Sequence, residues 1–155
     1  GKFYFVIYNW DKRGLKRDHE IIPICENQII EANILNLLEL AKNSEEVLNL
    51  NNEEFKPLLS LHHKKWEKAR LSYKNLNKKI LEIKSNSLVL SFETRERALR
   101  KLIKDQANNK IKIMRQGELA RLESIHQEKL DHLGSLFERS DILTSPLLYG
   151  RIINR

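Results

Sequence analysis

Residues 108–133 read NNKIKIMRQGELARLESIHQEKLDHL. The stretch is polar and almost free of turn-forming residues. Leu119, Leu122, His126, Leu130 and Leu133, with Phe137 just beyond, recur at steps of three and four. That spacing follows the turn of an α-helix and predicts one long helix with a single apolar face. Its first third is heavily basic, while its last third is not.

A matching stripe lies upstream. Leu58, His62, Trp66, Ala69, Tyr73, Leu76, Ile80 and Ile83 step by three and four without a miss, as one side of a coiled coil or long helical hairpin does. The stripe slips by five residues from Ile83 to Leu88, across KSNS. Either the helix breaks near 85–87 or it takes a stutter and continues. Leu88, Phe92, Leu99 and Ile103 carry the new register, interrupted by Arg95, and DQANN at 105–109 reads as a weak point in the helix or a turn.

Before these arms the period is two. KFYFVIYNW is aromatic and β-branched, EIIPIC is a second such run, and the polar DKRGLKRDH with Gly14 lies between them. This is a β-hairpin with a long loop. Phe3, Phe5 and Ile7 fall on one face and Tyr4, Val6 and Tyr8 on the other, so both faces need covering. Pro23 places the second strand at an edge or a bulge. Ile30, Ile34, Leu37, Leu38 and Ala41 then form a short helix. NNEE at 51–54 is a helix cap, and Pro57 either sits in the opening turn or marks a restart. LLYGRIIN is a last strand returning to the hairpin.

The expected architecture is α+β and mostly helical, a long antiparallel coiled-coil-like hairpin on a small antiparallel sheet. One domain, 1–155, holds a β-hairpin at 1–26, a short helix and loop at 28–50 and a long arm at 51–107. A return helix at 108–139 and a terminal strand at 145–154 follow. Gly1 is not an initiator and a strand begins almost at once, so a fragment of a longer chain is expected.

Composition narrows the class. With 41% hydrophobic residues, 5 Gly and 3 Pro, the chain is neither disordered nor fibrous. Cys25 alone makes no disulfide and no zinc pair, which suits a cytoplasmic protein. No apolar run is long enough for a membrane span.

The net charge of +7 is unevenly placed. Residues 62–84 hold eight Lys and Arg against Glu67 and Glu82, and residues 95–115 hold eight against Glu96 and Asp105. The rest of the chain is therefore net acidic. Such arms set cations at fixed intervals, as a phosphate backbone requires, although solvated helix faces are also commonly Lys-rich. The candidate nucleic-acid contacts are Lys64, Lys65, Lys68, Arg70, Lys74, Arg95, Arg97, Arg100, Lys101, Lys104, Lys110, Lys112 and Arg115. No base-reading motif accompanies them, so the contact expected is with duplex backbone, independent of sequence.

No reaction centre emerges. His62 and His63 point about 100° apart on a helix, and HExxH, GxSxG, Walker and GxGxxG patterns are missing. His62 and His126 lie on apolar stripes, where they either meet across the hairpin or pack singly. Trp66 and Tyr73 read as core. Gly117 marks a close helix approach or a soft point. No catalytic residue, metal or cofactor is expected.

The run RALRKLIKDQANNKIKIMRQGELARLESIHQEKLDHL, followed by LTSPLLYGRIIN, resembles the C-terminal end of bacterial Swi/Snf-type ATPases of the helicase superfamily. These include relatives of the RNA-polymerase-recycling ATPase and phage-defence translocases. Ile111, Met114, Arg115, Glu118, Leu119, Leu122 and Glu123, then Leu147, Leu148, Gly150 and Ile152, carry the likeness. Residues 1–60 add only a compatible hairpin. The resemblance implies that ATP-binding motifs lie upstream and that this chain is a non-catalytic accessory domain of an ATP-dependent DNA translocase. Its partners would be duplex backbone, a protein such as a polymerase or defence subunit, or the rest of the parent ATPase, with no membrane. The competing expectation is a protein-interaction or oligomerisation module that touches no nucleic acid; a metal enzyme built on the histidines is a third.

Overall fold

The computed structural model describes residues 1–154. Its elements are β1 (Lys2–Arg13), β2 (Asp18–Cys25), α1 (Gln28–Leu40), a 3-10 turn (Glu53–Phe55), α2 (Lys56–Asp105), α3 (Asn109–Glu138) and β3 (Asp141–Ile153). The fold is α+β, with a long helix and a three-stranded antiparallel sheet built from both ends of the chain. Two compact units are present, residues 1–73 with 141 onward, and Lys74–Ser140.

In the first unit β1 is the central strand, in the order β2-β1-β3. Its even positions Val6, Tyr8 and Trp10 join Ile22, Ile24 and Ile142 under Phe55, Leu58 and Tyr73. Its odd positions Phe5 and Ile7 join Cys25 and Ile34 of α1. A central strand apolar on both sides is thus covered on both, as its alternation requires. Asn27 caps α1 by accepting from the N–H groups of Ile29 and Ile30, and Glu31 accepts from the Cys25 N–H at 2.9 Å.

Pro23 lies in β2, an edge strand, opposite Ile7. β3 begins at Asp141, four residues ahead of the expected start, and runs through Pro146. The reason is a contact with α2. Ile142 turns its backbone away from β1: its N–H meets Asp141 Oδ1 at 2.8 Å and its carbonyl accepts from Trp66 Nε1 at 2.9 Å. Alternation then puts the Pro146 nitrogen on the outer edge, where no ladder donor is missed. A register shift follows between Ile7 and Tyr8.

α2 starts at Lys56 rather than 51, because NNEE opens the 3-10 turn instead. Pro57 sits in its first turn, where no N–H is needed. The helix passes through 85–91 without a break. Ser85, Asn86 and Ser87 cost only a few tenths of a kcal/mol each, and no Gly or Pro intervenes. The five-residue step is not a step in packing: Leu76 and Ile83 are exposed, at 44% and 70%, and the covered positions are Asn77, Leu81, Ser85, Leu88 and Phe92, which keep a regular three- and four-residue spacing. In the second unit α2 and α3 run antiparallel, joined by 106–108: Phe92 stacks on His126 at 4.2 Å, and Arg100 reaches Glu123 at 3.5 Å. Asn108 caps α3 through the N–H groups of Lys110 and Ile111.

His62 is buried at 6% exposure, stacked on Tyr8 at 3.5 Å. Its Nε2 lies 3.0 Å from Trp10 Nε1 and 3.1 Å from the Thr144 hydroxyl. An indole N–H can only donate, so Nε2 accepts and the ring is neutral. Burial, then His63 and Lys65, lower its pKa from 6.5 to about 4. The unfolded chain takes up this proton near pH 6.5, the folded one only near 4. Stability contributed by neutral His62 is present in full above pH 6.5 and is lost as pH falls toward 4, by roughly 3 kcal/mol. Urea unfolding across that range should show the loss, and His62→Gln should flatten it. Gly150 makes a second check. A Cβ there would come within 2.9 Å of the Phe5 ring, itself only 4% exposed, so Gly150→Ala should lower stability by about 1–3 kcal/mol in the same assay.

Candidate nucleic-acid interface

The last turns of α2 present Arg97, Arg100, Lys101 and Lys104 at i, i+3, i+4 and i+7, which puts them on one helix face. All four are exposed, as is Arg95. The short connection then brings the first turns of α3 to the same end of the hairpin, adding exposed Lys110 and half-buried Lys112 and Arg115. Two basic segments separated by a turn therefore share one tip. This accounts for the one-sided charge of residues 108–133, whose later part lies alongside the middle of the arm.

Some of this charge is engaged. Arg100 pairs with Glu96 at 3.0 Å and with Glu123 at 3.5 Å, and Arg115 with Glu118 at 3.1 Å. Among the described residues, Arg95, Arg97, Lys101, Lys104, Lys110 and Lys112 have no carboxylate within 4.0 Å. Exposed pairs of this kind are worth little and exchange readily for other anions.

The thirteen candidates fall into separate sets. Lys64, Lys65, Lys68 and Arg70 belong to the first unit, Lys74 and the eight tip residues to the second. Lys64 and Lys68 are exposed one turn apart, and Lys65 stands 4.0 Å from Glu31. Arg70 is employed inside its unit. Its guanidinium grips Asp141 at 2.7 and 3.1 Å and lies 4.5 Å over the Trp66 ring, pinning α2 to the start of β3.

The end of β1 and the turn after it carry further cations, Lys12 and Arg13 in the strand and Lys16 and Arg17 in the turn, which reading DKRGLKRDH only as a loop passed over. Most are committed. Lys12 meets Glu20 at 2.7 Å, and Arg13 meets Asp11 at 2.6 Å, which with nearby Arg17 and His19 holds that carboxyl below its ordinary range. Four cations in nine residues were the available signal.

The histidines pack singly. His62 lies among Tyr8, Trp10 and Thr144, and His126 lies on Phe92. Trp66 donates to the Ile142 carbonyl and Tyr73 to that of Lys16. Among the described residues no three His, Cys, Asp or Glu side chains gather where they could hold a metal ion, and no helix is long and apolar enough to cross a membrane.

Gly117 faces open space, with nothing within 4 Å of a Cβ built there. It is a soft point rather than a close approach. Gly117→Ala should raise stability by about 1 kcal/mol in urea unfolding, through helix propensity alone. No protein-family model, no curated protein and no solved structure matches this chain, so the interface stands on its own geometry.

Proposed function

We propose that this chain is a non-catalytic module that contacts nucleic-acid backbone through the basic tip of its helical hairpin. It serves as a C-terminal accessory domain of a DNA-translocating Swi/Snf-like ATPase whose motor precedes it. The observation that carries the contact is the tip itself, where Arg97, Lys101 and Lys104 share one exposed face without carboxylate partners among the described residues. A helix rises about 1.5 Å per residue, so these three span about 10 Å, a length over which a duplex displays several phosphates. The side chains carry no base-reading pattern and suit backbone contact regardless of sequence. Attachment to a motor rests on the resemblance of residues 97–133 and 143–154.

Fluorescence anisotropy with a random-sequence duplex tests the contact. Binding should weaken steeply between about 50 and 200 mM salt. The triple variant Arg97→Glu, Lys101→Glu, Lys104→Glu should bind at least about tenfold more weakly, with a salt slope shallower by two to three units. These positions are exposed, so folding should survive. Wild-type protein that binds no duplex at low salt overturns the proposal.

A further inference from the structure

The seam between α2 and α3 has two flanks, and they differ. Arg95 and Arg100 stand five residues apart, which is about 140° around α2, so each marks one flank. The Arg100 flank is closed by its ion pairs to Glu96 and Glu123. The Arg95 flank is open. A shallow cleft lies there, floored by Phe92, His126 and Leu122 and rimmed by Arg95, Ile125 and Lys129. Helical spacing extends it toward the tip. Leu102 follows Arg95 by seven residues and Met114 precedes Ile125 by eleven, so each pair shares a face. Glu118, four residues after Met114 and seven before Ile125, lies on that face of α3 too, where Arg115 takes up its carboxylate at 3.1 Å. Leu102 is 51% exposed, Met114 53% and Ile125 48%. Neither Arg95 nor Lys129 has a carboxylate within 4.0 Å among the described residues.

We infer that this flank docks an amphipathic helix bearing acidic residues beside its apolar stripe, completing a three-helix bundle. An apolar groove between two helices fits the ridge of a third. The two unpaired cations on its rim select carboxylates and would repel a basic helix. A second copy offers the same cationic rim and meets like with like. Nucleic acid is a poorer fit, because the exposed groups are aliphatic and the only rings in the cleft, Phe92 and His126, are already stacked on each other. The docking flank is also distinct from the face carrying Arg97, Lys101 and Lys104, so it does not rest on the proposed DNA contact.

The test uses the whole chain and two helical peptides of about three heptads, leucines on one stripe, flanked in one by glutamates and in the other by lysines. The acidic peptide should bind at least about tenfold tighter by anisotropy and shift the methyl resonances of Leu102, Met114 and Ile125. Arg95→Glu with Lys129→Glu should reverse the preference, and Arg95→Gln with Lys129→Gln should bring it toward parity. Ile125→Asp should weaken both peptides. Equal binding of the two peptides, a preference untouched by the charge variants, or shifts confined to other surfaces such as Ile29 and Leu40 of α1 would overturn the inference. So would a duplex that shifts these three methyls when the acidic peptide does not.

Discussion

β1 is apolar on both faces, and the first unit is built to keep water off each of them. A strand carrying Phe5 and Ile7 on one side and Val6, Tyr8 and Trp10 on the other cannot lie in a two-layer fold. Each of these side chains contributes about 1.5–3 kcal/mol only when fully buried. One face takes α1 and the other takes the opening of α2. The covering layer over the even face also has to receive the polar end of Trp10, and His62 does so while its ring stacks on Tyr8. A buried histidine at the centre of an apolar stripe is thus a hydrogen-bond acceptor for the core, which makes packing and proton balance one problem.

α2 serves two packing tasks along its length. Up to Tyr73 its stripe covers the sheet; from Lys74 it supports α3. Past Tyr73 the covered positions are Asn77, Leu81, Ser85, Leu88 and Phe92, while Leu76 and Ile83 are exposed, so the five-residue apolar step between Ile83 and Leu88 is not a step in packing. Continuity through that step follows from composition, since Ser and Asn weaken a helix slightly whereas Gly or Pro would interrupt it. The cations that the helix carries can therefore be placed away from either core without burying any charge.

The functional reading follows the same logic. Charge held at the end of a hairpin stays solvated and can reach an extended polyanion. Arg70 shows the opposite use of the same chemistry, a guanidinium spent on Asp141 and Trp66 to fasten a helix to a strand. On the hairpin itself, one flank is crossed by the ion pairs of Arg100, and the other exposes apolar groups beside two unmatched cations and the Arg115–Glu118 pair. A polar tip and an apolar flank suit two kinds of partner at once.

The amino-acid sequence by itself determined the element types, the need for cover on both faces of β1 and the two segments, 62–84 and 95–115, where positive charge collects. Period two against period 3.6 and the spacing of Lys and Arg are local properties, legible without knowing what touches what. Tertiary structure alone decided which cations are free. Arg70 and Arg97 look alike in the sequence, but Asp141 lies 71 residues from the first, and no such distant partner is visible in local pattern. It also decided that β3 starts at Asp141, because the strand edge is completed by Trp66 of another element. The two flanks of the seam came from packing for the same reason: side chains far apart in the chain determine which surfaces close and which stay open.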